Sequence, residues 1–138
     1  MSKATEIQEF LTGKTFFVAT VHENKPKVRP FGFSMEFEEK LYLATNDGKP
    51  SYFQLQENPY IEISASIRKP EGSEWVRISG KAVFDHRDEV KMKAFEAAPI
   101  FKEIYDLEGS PELKLFYISE GMATFQRIGF SDVRTISF

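Results

Sequence analysis

The sequence of 138 residues contains no cysteine, and it has only two histidines and a net charge of -3. The missing cysteine excludes disulfides, thiol nucleophiles and thiolate-bound metals, and two isolated histidines give no zinc-site pattern. There is no apolar signal core and no apolar run of membrane-spanning length. The acidic balance gives no basic field for nucleic acid. We therefore expect a cytoplasmic protein without a metal, which binds neither membranes nor nucleic acid.

The composition is otherwise that of an ordinary globular chain, with 41% hydrophobic and 28% charged residues. Phenylalanine is the unusual component, at 14 residues. A chain of this length is expected to fold as one domain, residues 1–138, with a sizeable core. Most of the phenylalanines are expected in that core, because the acidic net charge argues against a platform for stacking nucleic-acid bases.

Hydrophobic periodicity predicts a protein built mainly from strands. The predicted strands cover residues 15–22, 27–37, 41–45, 61–67, 74–84, 113–125 and 133–138. The predicted helices cover residues 3–11, 50–57, 86–98 and 100–105, the third of them capped by Asp85. Six or seven strands with hairpin connections and a few helices indicate an antiparallel β-barrel.

One predicted strand combines an arginine with large apolar side chains. Side chains repeat every two residues along a strand, so Arg29 shares a face with Phe31, Phe33, Met35 and Phe37. An unpaired buried charge is costly, so Arg29 must either reach the rim, where a salt bridge would satisfy it, or bind an anion. Pro30 cannot donate to a ladder, which places this backbone at an edge or a bulge.

The following segment supplies further groups that suit a phosphate ester. Thr45 ends a strand, Lys49 comes four residues later, and Pro50 and Ser51 begin the predicted helix. Phosphates are held by cationic side chains, hydroxyls and backbone N–H groups at a helix start. Arg29, Thr45, Lys49 and the amides near Ser51 are thus candidates for one phosphate site, although an exposed lysine more often has no ligand.

Four short pieces of sequence, in this order and spacing, resemble the pyridoxamine 5'-phosphate oxidase-like family of FMN-binding split barrels. They are residues 28–31 (VRPF), 41–45 (LYLAT) with Lys49, 55–59 (LQENP) and 74–80 (EWVRISG). The resemblance covers almost the whole chain. It implies a six-stranded antiparallel split β-barrel of Greek-key type that forms a homodimer with FMN at the subunit interface.

The resemblance also implies which residues contact the cofactor. The backbone of Arg29, Pro30 and Phe31 would run along the flavin ring, and Thr45 and Asn46 would lie near the ring or the phosphate. Gln54 falls near a frequent flavin contact of the family. Trp75 matches a position that reaches the cofactor from the partner subunit, although a lone exposed tryptophan needs no such explanation.

The activity implied is that of an FMN-dependent oxidoreductase, with a nicotinamide or another electron donor and a small-molecule substrate. The catalytic residues are unknown, because no acid or base stands out in the sequence. Pyridoxamine 5'-phosphate oxidases carry a longer C-terminal segment with an arginine for their substrate, whereas this sequence ends at Phe138 after Val133–Ile136. We therefore expect FMN binding rather than vitamin B6 oxidation. The alternatives are an FMN carrier, electron-transfer module or sensor, a relative that uses deazaflavin or haem, and a ligand-free dimeric scaffold.

Overall fold

The computed structural model describes residues 2–138, which form four helices and eight strands. The helices are α1 (Lys3–Leu11), α2 (Pro50–Glu57), α3 (Asp88–Ala97) and α4 (Ile100–Tyr105). The strands are β1 (Phe16–His22), β2 (Lys25–Phe31), β3 (Ser34–Phe37), β4 (Lys40–Asn46), β5 (Tyr60–Lys69), β6 (Gly72–Phe84), β7 (Leu113–Arg127) and β8 (Val133–Ser137). Helices α1, α2 and α4 have the predicted bounds.

All strand pairs are antiparallel, and they form one sheet in the order β2-β1-β5-β6-β7-β4-β3, with β8 paired to β7. The outer strands β2 and β3 do not pair with each other, so the sheet curls without closing. Helix α2 contacts both β1 and β4, the neighbours of these outer strands. It therefore lies across the opening, and the prediction of a split antiparallel β-barrel with helices is confirmed, with eight strands where six or seven were expected.

The extra strand comes from a break where one continuous strand was predicted, and that prediction was wrong. β2 ends at Phe31, and β3 begins at Ser34 after the connector Gly32-Phe33. Phe31 packs in the main core cluster, whereas Met35 belongs to a second cluster with Tyr42. One straight strand cannot serve two separate cores, so the chain turns at the connector.

The two clusters divide the packing of the sheet between different helices. The main cluster contains the apolar face of α1, with Ile7 and Leu11 fully buried, together with the inward residues of β1, β5, β6 and β7. The second cluster joins β3, β4 and the start of β7 to α3, through Val90 and Ala94. Strand β5 alternates strictly between buried and exposed residues along most of its length, as its sequence predicted.

The predicted helix cap at Asp85 is wrong, because helix α3 begins only at Asp88 with Arg87 at its N-cap position. Asp85 instead accepts hydrogen bonds from the Tyr42 hydroxyl (2.8 Å) and from Nη2 of Arg87 (2.9 Å). Arg87 also bonds Glu38 in the β3–β4 turn. These contacts tie the hairpin to α3. No helix among residues 2–138 has the length and apolar character needed to cross a membrane.

Candidate functional site

A pocket of about 300 Å³ lies beside the connector between β2 and β3. We call it the Lys49 pocket; its lining residues are Pro30, Phe31, Gly32, Phe33, Ala44, Lys49, Ala98, Ile100, Phe101 and Tyr105. Gly32 and Phe33 lie outside both strands, so their amide groups are not committed to the sheet ladders. The pocket therefore combines a cation, apolar and aromatic side chains and accessible backbone, which are the components of a small-molecule site.

The start of α2 brings together three of the predicted phosphate groups. The hydroxyls of Thr45 and Ser51 lie 2.8 Å apart and both residues are almost fully buried. Lys49 occupies the N-cap position, and no side chain caps the helix. Uncapped N–H groups at a helix start favour an anion. The exposed Lys49 ammonium adds a full positive charge at the same end of the helix.

Arg29 belongs to β2, and its guanidinium contacts α2 about one turn beyond the start of the helix. Two polar side chains hold it there. Its Nη2 donates to Oε1 of Gln54 (2.6 Å) and its Nη1 donates to the hydroxyl of Thr20 (2.7 Å). Thr20 also donates to the same Gln54 oxygen (2.6 Å). Arg29 forms no ion pair with a carboxylate within residues 2–138, and burial alone lowers the pKa of its guanidinium. Its positive charge thus stays uncompensated at the opening of the barrel.

Asn46, predicted as a cofactor contact, has both ends of its side chain engaged inside the protein. Its Oδ1 accepts from the backbone N–H of Gly48 (3.0 Å), and its Nδ2 donates to the Tyr105 hydroxyl (3.1 Å). The residue is 7% exposed. These bonds connect the end of β4 to α4, which lines the Lys49 pocket together with the connector.

Trp75 lies apart from these groups, on the face of the sheet that no helix covers. It stands between Ser66 of β5 and Gln126 of β7, and the guanidinium of Arg77 lies 5.6 Å from the centre of its ring. The same face carries exposed Phe17 and Met122. We call it the open sheet face. Trp75 does not line the Lys49 pocket of its own chain.

The structure thus gathers Pro30, Phe31 and Lys49 at one pocket and places Thr45 and Ser51 at the adjoining helix start. Arg29 and Gln54 form a separate cluster on the same helix face, and none of these residues touches Trp75. The convergence of Arg29, Thr45 and Lys49 on one phosphate stays a prediction.

Sequence reasoning missed Thr20 and Tyr105. The alternation along β1 could have indicated Thr20, because this polar residue continues the inward face of Phe16 and Val18. No sequence pattern indicated Tyr105, because its hydrogen-bond partner Asn46 is 59 residues away in the chain.

Comparison with known proteins gives the family context. The family model for pyridoxamine 5'-phosphate oxidase matches residues 4–127. A NimC/NimA family protein from Clostridium acetobutylicum superposes with a TM-score of 0.87 at 33% identity, over 98% of this chain and 92% of that chain. No curated protein sequence matches.

Two more distant solved structures share the fold. A pyridoxamine 5'-phosphate oxidase-related, FMN-binding protein from Nostoc punctiforme has a TM-score of 0.62 at 14% identity, over 90% of this chain and 86% of that chain. A heme-binding protein from Mycobacterium smegmatis has a TM-score of 0.71 at 15% identity, over 99% of this chain and 59% of that chain. The family model spans most of the chain and the fold agrees with it, so this protein belongs to the pyridoxamine 5'-phosphate oxidase family.

Proposed function

We propose that this protein is an FMN-dependent oxidoreductase that binds FMN between the two subunits of a homodimer. The observation that carries the proposal is the Lys49 pocket at the uncapped start of α2, inside a family in which an FMN-binding relative shares the fold. The residues present fit a phosphorylated flavin, because the Lys49 ammonium, the Thr45 and Ser51 hydroxyls and the Ser51 N–H lie next to the aromatic side chains of the pocket.

Each group has a proposed part in binding. Lys49, the paired hydroxyls of Thr45 and Ser51 and the Ser51 N–H hold the phosphate; Pro50 has no N–H, and the Tyr52 N–H already donates to the Lys49 carbonyl. Arg29 adds a second positive charge, held in place by Gln54 and Thr20. The connector Gly32-Phe33, with Pro30 and Phe31, lies along the ring and keeps water from one side of it. Bound FMN supplies reversible electron transfer.

The chemistry of the pocket favours a flavin over haem. Iron in haem proteins is held by histidine, cysteine, methionine or tyrosine, and the residues lining the Lys49 pocket include none of these except Tyr105. Tyr105 is already hydrogen-bonded to Asn46. Neither histidine of the sequence lines the pocket, whereas a lysine does. The side chains that line the pocket are therefore better suited to binding a phosphate than to ligating a haem iron.

The open sheet face supports the dimer. Phe17 and Met122 are 49% and 46% exposed there, beside Trp75 and Arg77. Phe17 on β1 and Met122 on β7 are separated by β5 and β6, so they extend an exposed apolar contribution across the whole uncovered face, which favours association with another surface. Two-fold dimers are also the commonest oligomers. We propose that the partner subunit's Trp75 completes the flavin site across this interface.

The absorbance spectrum of the purified protein tests the proposal, followed by mass spectrometry of the released chromophore. We expect the bands of an oxidised flavin and the mass of FMN. Steady oxidation of NADH or NADPH with an electron acceptor would then distinguish an oxidoreductase from a carrier or sensor. A haem spectrum, a deazaflavin, or failure of the colourless protein to bind added FMN would contradict the proposal.

A further inference from the structure

The hydrogen bonds around Asn46 fix the direction of a chain of donors that ends in the Lys49 pocket. A backbone N–H can only donate, so the Asn46 atom 3.0 Å from the Gly48 nitrogen is the amide oxygen. The Asn46 amino group must then face the Tyr105 hydroxyl, 3.1 Å away. The assignment of the two amide ends therefore follows from Gly48 alone.

This direction leaves the Tyr105 proton free. A tyrosine hydroxyl has one proton to donate and lone pairs that accept, and here it accepts from Asn46. Tyr105 makes no other hydrogen bond within residues 2–138, and it lines the pocket while remaining only half-buried. Its proton is therefore available to a molecule in the pocket, so the hydroxyl acts there as a donor.

The walls beside Tyr105 are aromatic. The rings of Phe33 and Phe101 lie 4.9 Å apart at 56°, and those of Phe101 and Tyr105 lie 5.6 Å apart at 71°. Such tilted rings offer faces and edges to a further flat ring. A donor beside these rings favours a ligand with an acceptor atom, because such a ligand replaces the water that the half-buried hydroxyl would otherwise bond. A site built to hydrogen-bond an oxygen also discriminates against analogues that lack it.

We propose that the α4 side of the Lys49 pocket, beside the flavin ring, takes a small planar aromatic compound with a carbonyl-type oxygen as substrate, and that Tyr105 donates a hydrogen bond to that oxygen. Asn46 is then a positioning residue, which sets the direction of the Tyr105 hydroxyl and does not contact the cofactor. The inference rests on the proposed function, since it places this substrate in the pocket of an FMN-loaded protein.

The test compares acetophenone with ethylbenzene, which has nearly the same shape but no oxygen. Both are titrated into FMN-loaded wild-type protein and Tyr105→Phe, and binding is followed by amide chemical shifts in NMR spectra. Tyr105→Phe should weaken acetophenone about fivefold, the effect of losing one neutral hydrogen bond. It should change ethylbenzene by less than about twofold, because the rings and the pocket shape are kept.

The variant Asn46→Asp keeps the Tyr105 hydroxyl but is expected to change the direction in which it donates. It therefore tests whether that direction matters for acetophenone binding. The introduced carboxylate still accepts from Gly48, but it offers Tyr105 an acceptor where the wild type offers a donor. The Tyr105 proton should turn toward this carboxylate and away from the pocket. We therefore expect Asn46→Asp to weaken acetophenone about as much as Tyr105→Phe does, again sparing ethylbenzene. Both ligands are neutral, so the new charge does not repel them.

Results of three kinds would overturn the inference. The first is equal acetophenone affinity in wild type and Tyr105→Phe, or binding of neither ligand to the wild type. The second is an equal loss for both ligands, which would make Tyr105 a purely structural residue. The third is weaker FMN binding by Tyr105→Phe, which would place its hydroxyl on the cofactor. A wild-type protein that binds no FMN would instead contradict the proposed function, and the spectrum shows that before any titration.

Discussion

Gly80 and Gly121 stand where parts of the barrel approach most closely. A Cβ at Gly80 would lie 2.3 Å from Cγ2 of Ile118 and 3.0 Å from the Ser119 carbonyl oxygen. A Cβ at Gly121 would lie 2.5 Å from the ring of Phe138, the last residue of the chain. The first neighbourhood includes the backbone of strand β7 within the sheet, and the second is the ring of Phe138, which packs at the edge of the main core cluster.

We therefore expect Gly80→Ala to destabilise the fold by about 1–3 kcal/mol, the usual effect of overpacking a closely packed position. Gly121→Ala is the matched control and should lower the free energy of unfolding by less, because its nearest contacts are with one side-chain ring and not with a backbone carbonyl. Urea unfolding of both variants measures the difference. An equal decrease in unfolding free energy for both variants would show that the backbone near Ser119 adjusts to an added methyl group as easily as the Phe138 ring does.

At the same scale, the sequence singled out candidate site residues, whose roles stay predictions, but not their hydrogen-bond partners. Arg29 stood out because a charge shared a strand face with phenylalanines, and Lys49 because it preceded a helix with Pro50. The hydrogen bonds that hold Arg29 to Thr20 and Gln54 connect residues 9 and 25 positions apart. Such pairs depend on how the elements pack, so periodicity along the chain does not reveal them.

Among the elements, the β3–β4 hairpin is tied to helix α3 through Asp85 and Arg87. The guanidinium of Arg87 and the Tyr42 hydroxyl, hydrogen-bonded to Asp85, hold the pKa of that carboxyl at about 2. The Tyr42 side chain is fully buried, and burial followed by the bond to Asp85 raises the pKa of its hydroxyl. The tie therefore depends on an ionised Asp85.

This dependence predicts a pH effect. The folded pKa of Asp85 lies below the unfolded value of about 3.9. Ionised Asp85 consequently stabilises the fold above about pH 4, and this stabilisation is lost as the pH falls from about 4 to about 2. Asp85→Asn should lower the free energy of unfolding by roughly 1–2 kcal/mol at pH 7, allowing for the exposed guanidinium.

Urea unfolding of wild type and Asp85→Asn between pH 7 and pH 2 checks the effect. The gap between the two proteins should close at the acid end. Asp106→Asn, at the exposed end of α4, is the control and should stay within about 0.5 kcal/mol of wild type at neutral pH, as distant surface changes usually do. A gap for Asp85→Asn that persists at pH 2 would mean that the charge of Asp85 is not its cause.

Element types and several bounds followed from the sequence, whereas two junctions did not. Pro50 and Asn58-Pro59 define the limits of α2 locally, and Ser2 caps α1 by accepting from the Thr5 amide. The break at Gly32-Phe33 has no such local signal, because apolar alternation continues from Phe31 to Phe37. Only the existence of two core clusters separates β2 from β3. Asp85 has the right residue type for a cap, but Tyr42 and Arg87 bind it instead.

For the whole molecule, the open sheet face determines whether the proposed site is complete. Trp75 and the Lys49 pocket belong to different regions of one chain, so the tryptophan can reach a bound flavin only from a second subunit. The curled sheet and its opening were predictable from alternating strands and from the family resemblance. The placement of Phe17, Arg77 and Met122 on one face depends on the register across the four neighbouring strands β1, β5, β6 and β7.

We expect sedimentation at micromolar concentration to give twice the chain mass. Met122→Glu should shift the protein toward the monomer, because it places a charge in the apolar part of the proposed interface. It should also weaken FMN binding by removing the partner subunit's Trp75. Met92→Glu is the matched control, since Met92 is 62% exposed on α3 and lies outside the open sheet face. A wild-type monomer that binds FMN tightly would exclude the interface site.

The central claim is that the start of α2 and Lys49 hold the phosphate of FMN. Hydrogen bonds to charged groups contribute about 1.5–3 kcal/mol each, and a factor of ten in affinity corresponds to about 1.4 kcal/mol. Two or three such bonds therefore predict that FMN binds more than about a hundredfold tighter than riboflavin. Riboflavin lacks the phosphate that the Lys49 ammonium is proposed to bind, so its affinity measures binding of the ring alone.

The most direct measurement is the set of four dissociation constants for FMN and riboflavin with wild type and Lys49→Ala. We expect Lys49→Ala to weaken FMN strongly and riboflavin hardly at all, and added salt to weaken FMN more in the wild type than in the variant. Lys102→Ala, which removes an exposed lysine outside the Lys49 pocket, should leave both constants unchanged. If Lys49→Ala lowered the two affinities by the same factor, Lys49 would act on the ring or the fold, and the phosphate site would be wrong.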